Sequence, residues 1–338
     1  MSVSQLVLDQ YQFGKIESIA AVTDGLIHAT YKITSTKGVF ILQKLHSLLC
    51  DDGVGEDFLE VTHHLDGEGI QTPVGILNID GKVLTKDGEE VWRVQSFIEG
   101  KVFDRMDSPE RAKEAGKMLA KFHLGLSDLD YTFQSSLILH QTRKIADEFK
   151  EVVKKFAQDD LMSDAKEQVA FLIAELPKYF LPEDLPIRVT HGDPKLTNIL
   201  FNDDGSAASM IDLDTCNRGT VLVDLGDAFR SWCGGVEDDE SVVFNKEIFQ
   251  AGLEGYKEFA EGEITDKEIE LIPQATAMII LELATRFLKD YFEDSYFGWD
   301  KEKYPTRRAH NLARAKGQIA LFKSFSTLYP TPNEGEGP

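Results

Sequence analysis

The sequence predicts an α+β chain of two unequal lobes: a small antiparallel β lobe with one helix, then a larger, mainly helical lobe. Three observations predict it. The first hundred of the 338 residues read as strand-like runs split by turn formers. After Gly100 the apolar residues recur at helical spacing. A single β-like insert, 187–213, interrupts the helical blocks. The expected division is 1–97 for the first lobe, 98–330 for the second and 331–338 for a disordered tail rich in Gly, Pro and Glu.

The elements follow in chain order. Residues 16–22 and 29–35 are β-rich, with the turn former Asp24-Gly25 between them. Thr36-Lys37-Gly38 then turns the chain into the apolar run 39–42. Phe58, Leu59, Val61 and Leu65 give an apolar stripe to a helix at about 55–65. The turns Asp80-Gly81 and Asp87-Gly88 separate strands that end at 91–98. Ser108-Pro109 starts a helix, because Ser can cap it and Pro is tolerated in the first turn. Further helical periodicity lies at 143–158, 163–176 and 245–260, and a last helix at about 306–326. Thr265 and Glu268 have capping-box spacing before a long apolar helix, 268–292, that contains Pro273. A cleft between a strand-rich and a helix-rich lobe is the natural ligand site.

Bulk properties narrow the function. Acidic residues number 58 against 36 basic ones, a formal charge of -22. Such a surface opposes general nucleic-acid binding and attraction to anionic membranes. Cys50, Cys216 and Cys233 are scattered and form no CxxC, as suits a reducing compartment. No basic segment followed by an apolar core opens the chain, and no apolar run reaches the roughly 20 residues of a membrane span. A cytoplasmic enzyme, monomeric or homodimeric, is expected.

The chemistry is concentrated in VTHGDPKLTNILFNDDGSAASMIDLD, 189–214. Phosphoryl transfer needs a carboxylate at the attacking hydroxyl and oxygen ligands for the magnesium that bridges the phosphates. Asp193 can accept or orient the hydroxyl proton. Asn198, five residues on, can give an amide oxygen to the metal. Asp212 returns to the same point from a hairpin turned at Asp203, Asp204 and Gly205. Lys195 can neutralise charge on the transferring phosphate, and His191 reads as a loop brace. Asp214 can bind metal or substrate, or cap a turn. The alternative, that these Asp and Asn residues are turn formers alone, leaves the apolar strand ending in Asp212 unexplained. No GxxxxGK[ST] segment occurs, which excludes a P-loop.

This stretch resembles the aminoglycoside phosphotransferase and choline kinase superfamily, which shares the bilobal protein-kinase-like fold. The resemblance covers nearly the whole chain. It implies ATP in the cleft, Asp193 as catalytic base, and Asn198 and Asp212 as Mg²⁺ ligands. HGDPKLTNILF, IDLDT followed by VLVDLGDAFR, WRVQSFIEG and the C-terminal RFLKDYF and HNLARAKGQ segments are more similar to N-acetylhexosamine 1-kinases. That likeness implies phosphorylation of the anomeric hydroxyl of a sugar.

Further roles follow from the resemblance. Gly25 would let the backbone approach phosphate, although a hairpin glycine with no ligand reads as well. His28 stands where sugar kinases typically have Asn and is kept as a candidate substrate contact. A phosphate-pairing cation is expected on the third strand, with Lys44 the candidate and Glu60, or Glu56, its partner. Strand alternation leaves open whether Gln43 or Lys44 faces the phosphates. Gln95, Phe97 and Ile98 resemble the connector whose backbone binds adenine. Asp224 and Asp227 look like loop braces, with a helix N-cap nearly as good an explanation. Glu282, Arg286 and Asp290 share one side of the long helix, where intrahelical salt bridging is the plain reading. The resemblance instead makes Arg286 and Tyr296 sugar contacts. Two rival acceptors remain. An aminoglycoside would need an acidic loop such as EDDE, 237–240. Choline or homoserine would need an aromatic cage or a carboxylate-binding Arg. A non-catalytic nucleotide-binding regulator is the rival outside enzymes.

Overall fold

The computed structural model describes residues 3–22, 28–260 and 262–330, so the Asp24-Gly25 turn and the tail 331–338 lie outside the described residues. Strands β1 (Ile16–Val22), β2 (Ala29–Ser35), β3 (Gly38–Lys44), β4 (Gly75–Ile76), β5 (Leu84–Asp87) and β6 (Glu90–Ser96) form one sheet in the order β1-β2-β3-β6-β4, with β5 also on β6. Every pairing is antiparallel. Gln43 lies opposite Arg93 and Lys44 opposite Trp92, so alternation puts the two pairs on opposite faces.

One face of the sheet buries Tyr31, Ile33, Leu42, Trp92 and Val94 against Val7 and Leu8 of α1 (Gln5–Asp9). This five-residue helix adds to the single helix expected in the lobe; its one turn is too short to show a period. The other face turns toward α2 (Asp52–Gly67), whose first turn is capped by the Asp51 carboxylate accepting from Gly53 N at 2.8 Å. Phe58, Val61 and Leu65 of α2 share one core with the helical lobe.

The helical lobe comprises α3 (Pro109–Gly125), α4 (Thr142–Lys155), α5 (Leu161–Glu175), α6 (Val221–Gly234), α7 (Lys246–Phe259), α8 (Asp266–Glu293) and α9 (Arg307–Leu328). Ser108 caps α3, and Thr265 with Glu268 forms the expected capping box on α8. Helix α8 packs against α4, α6 and α9. Contrary to the sequence expectation, it is long and apolar enough to cross a membrane, with a mean hydropathy of 1.4 over its most apolar stretch. That stretch is 78% buried inside the fold, so α8 is a core helix.

Helix α6 escapes sequence reading. Twelve of its residues, Val221, Leu222, Asp224 to Arg230 and Trp232 to Gly234, are buried, so no polar face marks a period. The β-like insert resolves into two antiparallel pairs, β7 (Arg188–Thr190) with β10 (Asn217–Gly219) and β8 (Ile199–Phe201) with β9 (Ala207–Met210). The connector joins the lobes through Lys101, whose backbone exchanges two 2.9 Å hydrogen bonds with Phe201. Asp57 of α2 makes a second tie, accepting from Tyr131 Oη, Gln134 N and Ser135 N at 2.8–2.9 Å.

Candidate active site

Two strand pairings fix the site. Because β7 pairs with β10 and β8 with β9, the loop 191–198 lies beside 211–215. Ile211 N donates to Asn198 O at 2.9 Å, and Thr215 Oγ1 donates to His191 O at 2.8 Å. Gly192 has φ +84°, and a Cβ there would stand 2.5 Å from Thr215 O, so only glycine fits. His191 is fully buried. Its Nδ1 accepts from Asp193 N at 3.3 Å, which leaves Nε2 to donate to Ile211 O at 3.0 Å. Asp224 of α6 accepts from His191 N at 2.6 Å, Gly192 N at 2.9 Å and His123 Nε2 at 2.9 Å. Burial opposes its charge, but the His123 contact and these amides hold its carboxyl below the ordinary carboxylate range. Thr220, not Asp224, caps α6, so of the two readings of Asp224 the loop brace is the one observed.

This scaffold presents Asp193. Its carboxylate is gripped by Lys195 Nζ and by Asn198 Nδ2 at 3.2 Å, and Asn198 Nδ2 also donates to Asp193 O at 2.8 Å. The Asp193 side chain keeps 19% of its surface exposed, enough for a hydroxyl to reach it. Burial works against charge on Lys195, but Asp193 and Asp212 outweigh it and raise its ammonium above the ordinary value. The site therefore holds a carboxylate beside a fixed cation.

Asp212 sits in the left-handed region, at φ 66° and ψ 54°. That conformation costs about 1 kcal/mol and is tolerated by Asp. Burial and the neighbouring Asp214 push its carboxyl up. Asp214 goes the other way: burial opposes its charge, while Arg93 and His28 hold it well below the usual range. Both Asp214 oxygens are taken by the Arg93 guanidinium, with Nη2 to Oδ2 at 2.9 Å. Arg93 is 1% exposed, lies 3.6 Å over the Phe58 ring and donates to Gln43 Oε1 at 2.8 Å.

The donor set fits a divalent cation. Asp212, Asp214 and His28 bring side-chain N and O atoms within 4.8 Å of one another, with His28 Nε2 3.3 Å from Asp214 and 4.0 Å from Asp212. His46 N donates to His28 Nδ1 at 3.2 Å, which leaves the ring proton on Nε2, facing Asp214, so the cation's ligands come from the carboxylates. Asp212, free of any hydrogen bond within the protein among the described residues, is the carboxylate left open to a divalent cation. Asp214 is committed to Arg93 and His28. A cation here would relieve the repulsion that raises Asp212 and would supply charge neutralisation to the phosphates.

The expected ion pair on the first lobe is not formed. Lys44 donates to Glu90 Oε1 at 3.0 Å on the face opposite Arg93, and Glu60 and Glu56 are exposed on α2. Gln43 is the inward residue, because alternation gives it the face it shares with Arg93. Buried Arg93 from β6 occupies this face, seated on an α2 aromatic ring in place of a Glu. Gly25 lies outside the described residues. Gln95 and Ile98 are buried, and Phe97 carries Lys32 Nζ at 3.9 Å over its ring. The backbone from Phe97 to Gly100 leaves the sheet ladders at the connector.

Asp227 accepts from Arg230 Nε at 2.8 Å, and Glu237 lies within 3.6 Å of both Arg230 and Arg314. Asp238 accepts from Lys303 at 2.7 Å and Tyr304 Oη at 2.6 Å and lies 3.5 Å from His310. The first half of the EDDE segment is thus already paired. The expected intrahelical ladder on α8 is not formed either. Glu282 accepts from His140 Nδ1 at 2.8 Å and from Thr142, while Asp290 holds Ser295 N, Tyr296 N and Phe297 N at 2.7–2.9 Å. Arg286, half-buried, lies over the Phe297 ring at 5.7 Å. Tyr296 is exposed beside the same ring. A cavity of about 710 Å³ between α1 and β1, lined by Gln5, Leu8, Tyr11 and Phe13, holds none of these groups.

Residues 18–261 match the family described as phosphotransferase enzyme family. The chain belongs to this family. This phosphotransferase is 26% identical over 266 residues to a homoserine kinase of Rhizobium meliloti, covering 79% of its own chain and 77% of the relative. It is 26% identical over 285 residues to a homoserine kinase of Zymomonas mobilis, covering 83% and 82%. Its fold is that of an amicoumacin kinase solved with AMP-PNP and Ca²⁺, at TM-score 0.64 and 15% identity over 94% of this chain and 93% of that one. A microcompartment-associated aminopropanol kinase matches at TM-score 0.64 and 15% identity over 96% and 97%. The phosphotransferase is a small-molecule kinase acting on a hydroxyl, in the bilobal protein-kinase-like fold. The likeness to N-acetylhexosamine 1-kinases finds no support among these relatives.

Arg93, which holds Asp214, is a residue to which sequence reading gave no role. The signal was an Arg amid VWRVQ, flanked by apolar residues on a strand, where a charge needs a buried partner.

Proposed function

We propose that this phosphotransferase moves the γ-phosphoryl group of ATP, with Mg²⁺, to the hydroxyl of a small amino alcohol of the homoserine type. What supports phosphoryl transfer is the part-exposed Asp193 carboxylate held by Lys195 and Asn198, with Asp212 acting on the same Lys195. Asp193 takes the proton of the attacking hydroxyl. Lys195 and the cation at Asp212 and Asn198 oppose the negative charge on the phosphoryl oxygens, so that catalysis is alignment and charge stabilisation. A non-catalytic regulator would have no need of this set.

The homoserine kinases among its relatives, each aligned over most of both chains, support an amino-alcohol acceptor over a sugar. The pairing of Glu237 and Asp238 speaks against an aminoglycoside, since a polycation would have to compete with Arg230, Arg314 and Lys303 for them. The test is acceptor-dependent ADP release from ATP across homoserine, 3-aminopropan-1-ol, choline, N-acetylhexosamines and an aminoglycoside. The expected result is the highest kcat/KM with homoserine. A higher value with an N-acetylhexosamine would overturn the reading.

A further inference from the structure

Asp212 and Asp214 stand two positions apart beside the catalytic loop, and the fold treats their carboxylates differently. The Asp212 side chain keeps 26% of its surface and makes no hydrogen bond within the protein among the described residues. The Asp214 side chain keeps 1%, and the other lobe closes over it. Arg93 reaches across from β6, and its two Nη groups take one Asp214 oxygen each, Nη2 meeting Oδ2 at 2.9 Å. His28 Nε2 faces Oδ2 as well, at 3.3 Å.

The guanidinium is itself fixed. Its Nη2 also donates to Gln43 Oε1 at 2.8 Å, and the Phe58 ring of α2 lies 3.6 Å from it. Arg93 is buried, so an Asp214 that turned to a cation would strand its charge without a partner. The turn is held on both sides: α2 packs against 213–215, and Thr215 Oγ1 donates to His191 O at 2.8 Å. Asp214 is closed to a cation by its partners and by its place, and Asp212 is open.

We propose that Arg93 is a positioning residue that confines the metal site to the single carboxylate of Asp212, so that the divalent cation binds together with the nucleotide and not before it. The affinity of a site for a hard cation rises with the number of charged oxygens that meet it. One carboxylate makes a weak site, and a triphosphate supplies the oxygens that it lacks. The inference rests on Asp212 as the cation's ligand and goes beyond it, to the order in which cation and nucleotide arrive.

The test is Mn²⁺ binding by the full chain, followed by electron paramagnetic resonance of the free ion, with and without a non-hydrolysable ATP analogue. Mn²⁺ held by the analogue alone is subtracted. The unaltered protein should bind Mn²⁺ roughly tenfold or more tightly with the analogue than without it. Arg93→Gln releases Asp214, so binding without the analogue should tighten roughly tenfold. Arg93→Gln combined with Asp214→Asn leaves no uncompensated charge in the core and should restore the unaltered affinity. Circular dichroism accompanies each variant. If Arg93→Gln unfolds, the double variant decides, and a roughly tenfold loss there would make Asp214 a ligand and overturn the proposal. If both unfold, the unaltered protein decides, and equal affinity with and without the analogue overturns it. A folded Arg93→Gln that binds no more tightly also overturns it. Asp212→Asn separates the two readings: full Mn²⁺ binding with the analogue in that variant removes Asp212 from the metal site and the proposal with it, whereas failure of the Arg93 arm alone leaves Asp212 in place.

Discussion

Arg93 and Lys44 lie on adjacent strands and differ in almost every physical respect. Arg93 is 1% exposed and shares its charge with an equally buried Asp214, whereas the Lys44 and Glu90 side chains keep 26% and 47% of their surface. Removing one partner of a buried pair leaves the other uncompensated, at about 3–5 kcal/mol, while an exposed pair is worth about 0–1 kcal/mol. Arg93→Met should therefore lower unfolding free energy in urea by roughly 3 kcal/mol or more, and Lys44→Met by about 1 kcal/mol at most. Equal losses would contradict this account of the first lobe. Strand alternation left two candidates on β3, and only the register with β6 decides between them, because Gln43 faces Arg93. Asp212 carries a different strain, since burial and Asp214 raise its carboxyl. Mg²⁺ should raise the melting temperature of the unaltered protein, and Asp212→Asn should lose most of that shift. An unchanged Mg²⁺ response in the variant would remove Asp212 from the metal site.

At the scale of elements, the loop 191–198 depends on being pressed against 211–215. Gly192→Ala places a methyl group against Thr215 O and forces a left-handed alanine. The cost should be about 2 kcal/mol or more in unfolding free energy, with a loss of kcat from misplacement of Asp193. A variant of full stability and activity would show that the loop is not so confined. Elements with a clear start were legible from sequence: α3 from its Ser108-Pro109 start and α8, although a core helix, from its capping box. Helix α6 was not, since burial on nearly every side erases the period. The site followed the same division. Asp193, Asn198 and Asp212 have a spacing that the hairpin β8–β9 makes meaningful. Lys44 with Glu60 was a guess about side-chain direction, and the contacts of Arg286 and Asp290 depend on the 294–306 segment, whose path no local pattern gives.

For the whole molecule, both lobes share one hydrophobic core through α2, and the tie is reinforced by the Asp57 and Lys101 contacts. Its acid stability depends on buried carboxylates held charged. Asp224, Asp290 and Glu268 are each opposed by burial and held below their ordinary values by His123, backbone amides and Arg188 respectively. The unfolded chain binds protons at these positions first, so their stabilisation is complete above about pH 4–5 and declines as pH falls through the lower folded values. Asp290→Asn should flatten that decline in urea titrations between neutral pH and the acid limit. An unaltered slope would mean that Asp290 is not one of the groups responsible. The account as a whole turns on Asp193. The most direct measurement is single-turnover transfer from ATP to homoserine by Asp193→Asn, with its melting temperature beside that of the unaltered enzyme. A fall of about 10²-fold or more in the transfer rate is predicted, with melting unchanged within a few degrees. Transfer at a near-normal rate by the folded variant would contradict the central claim.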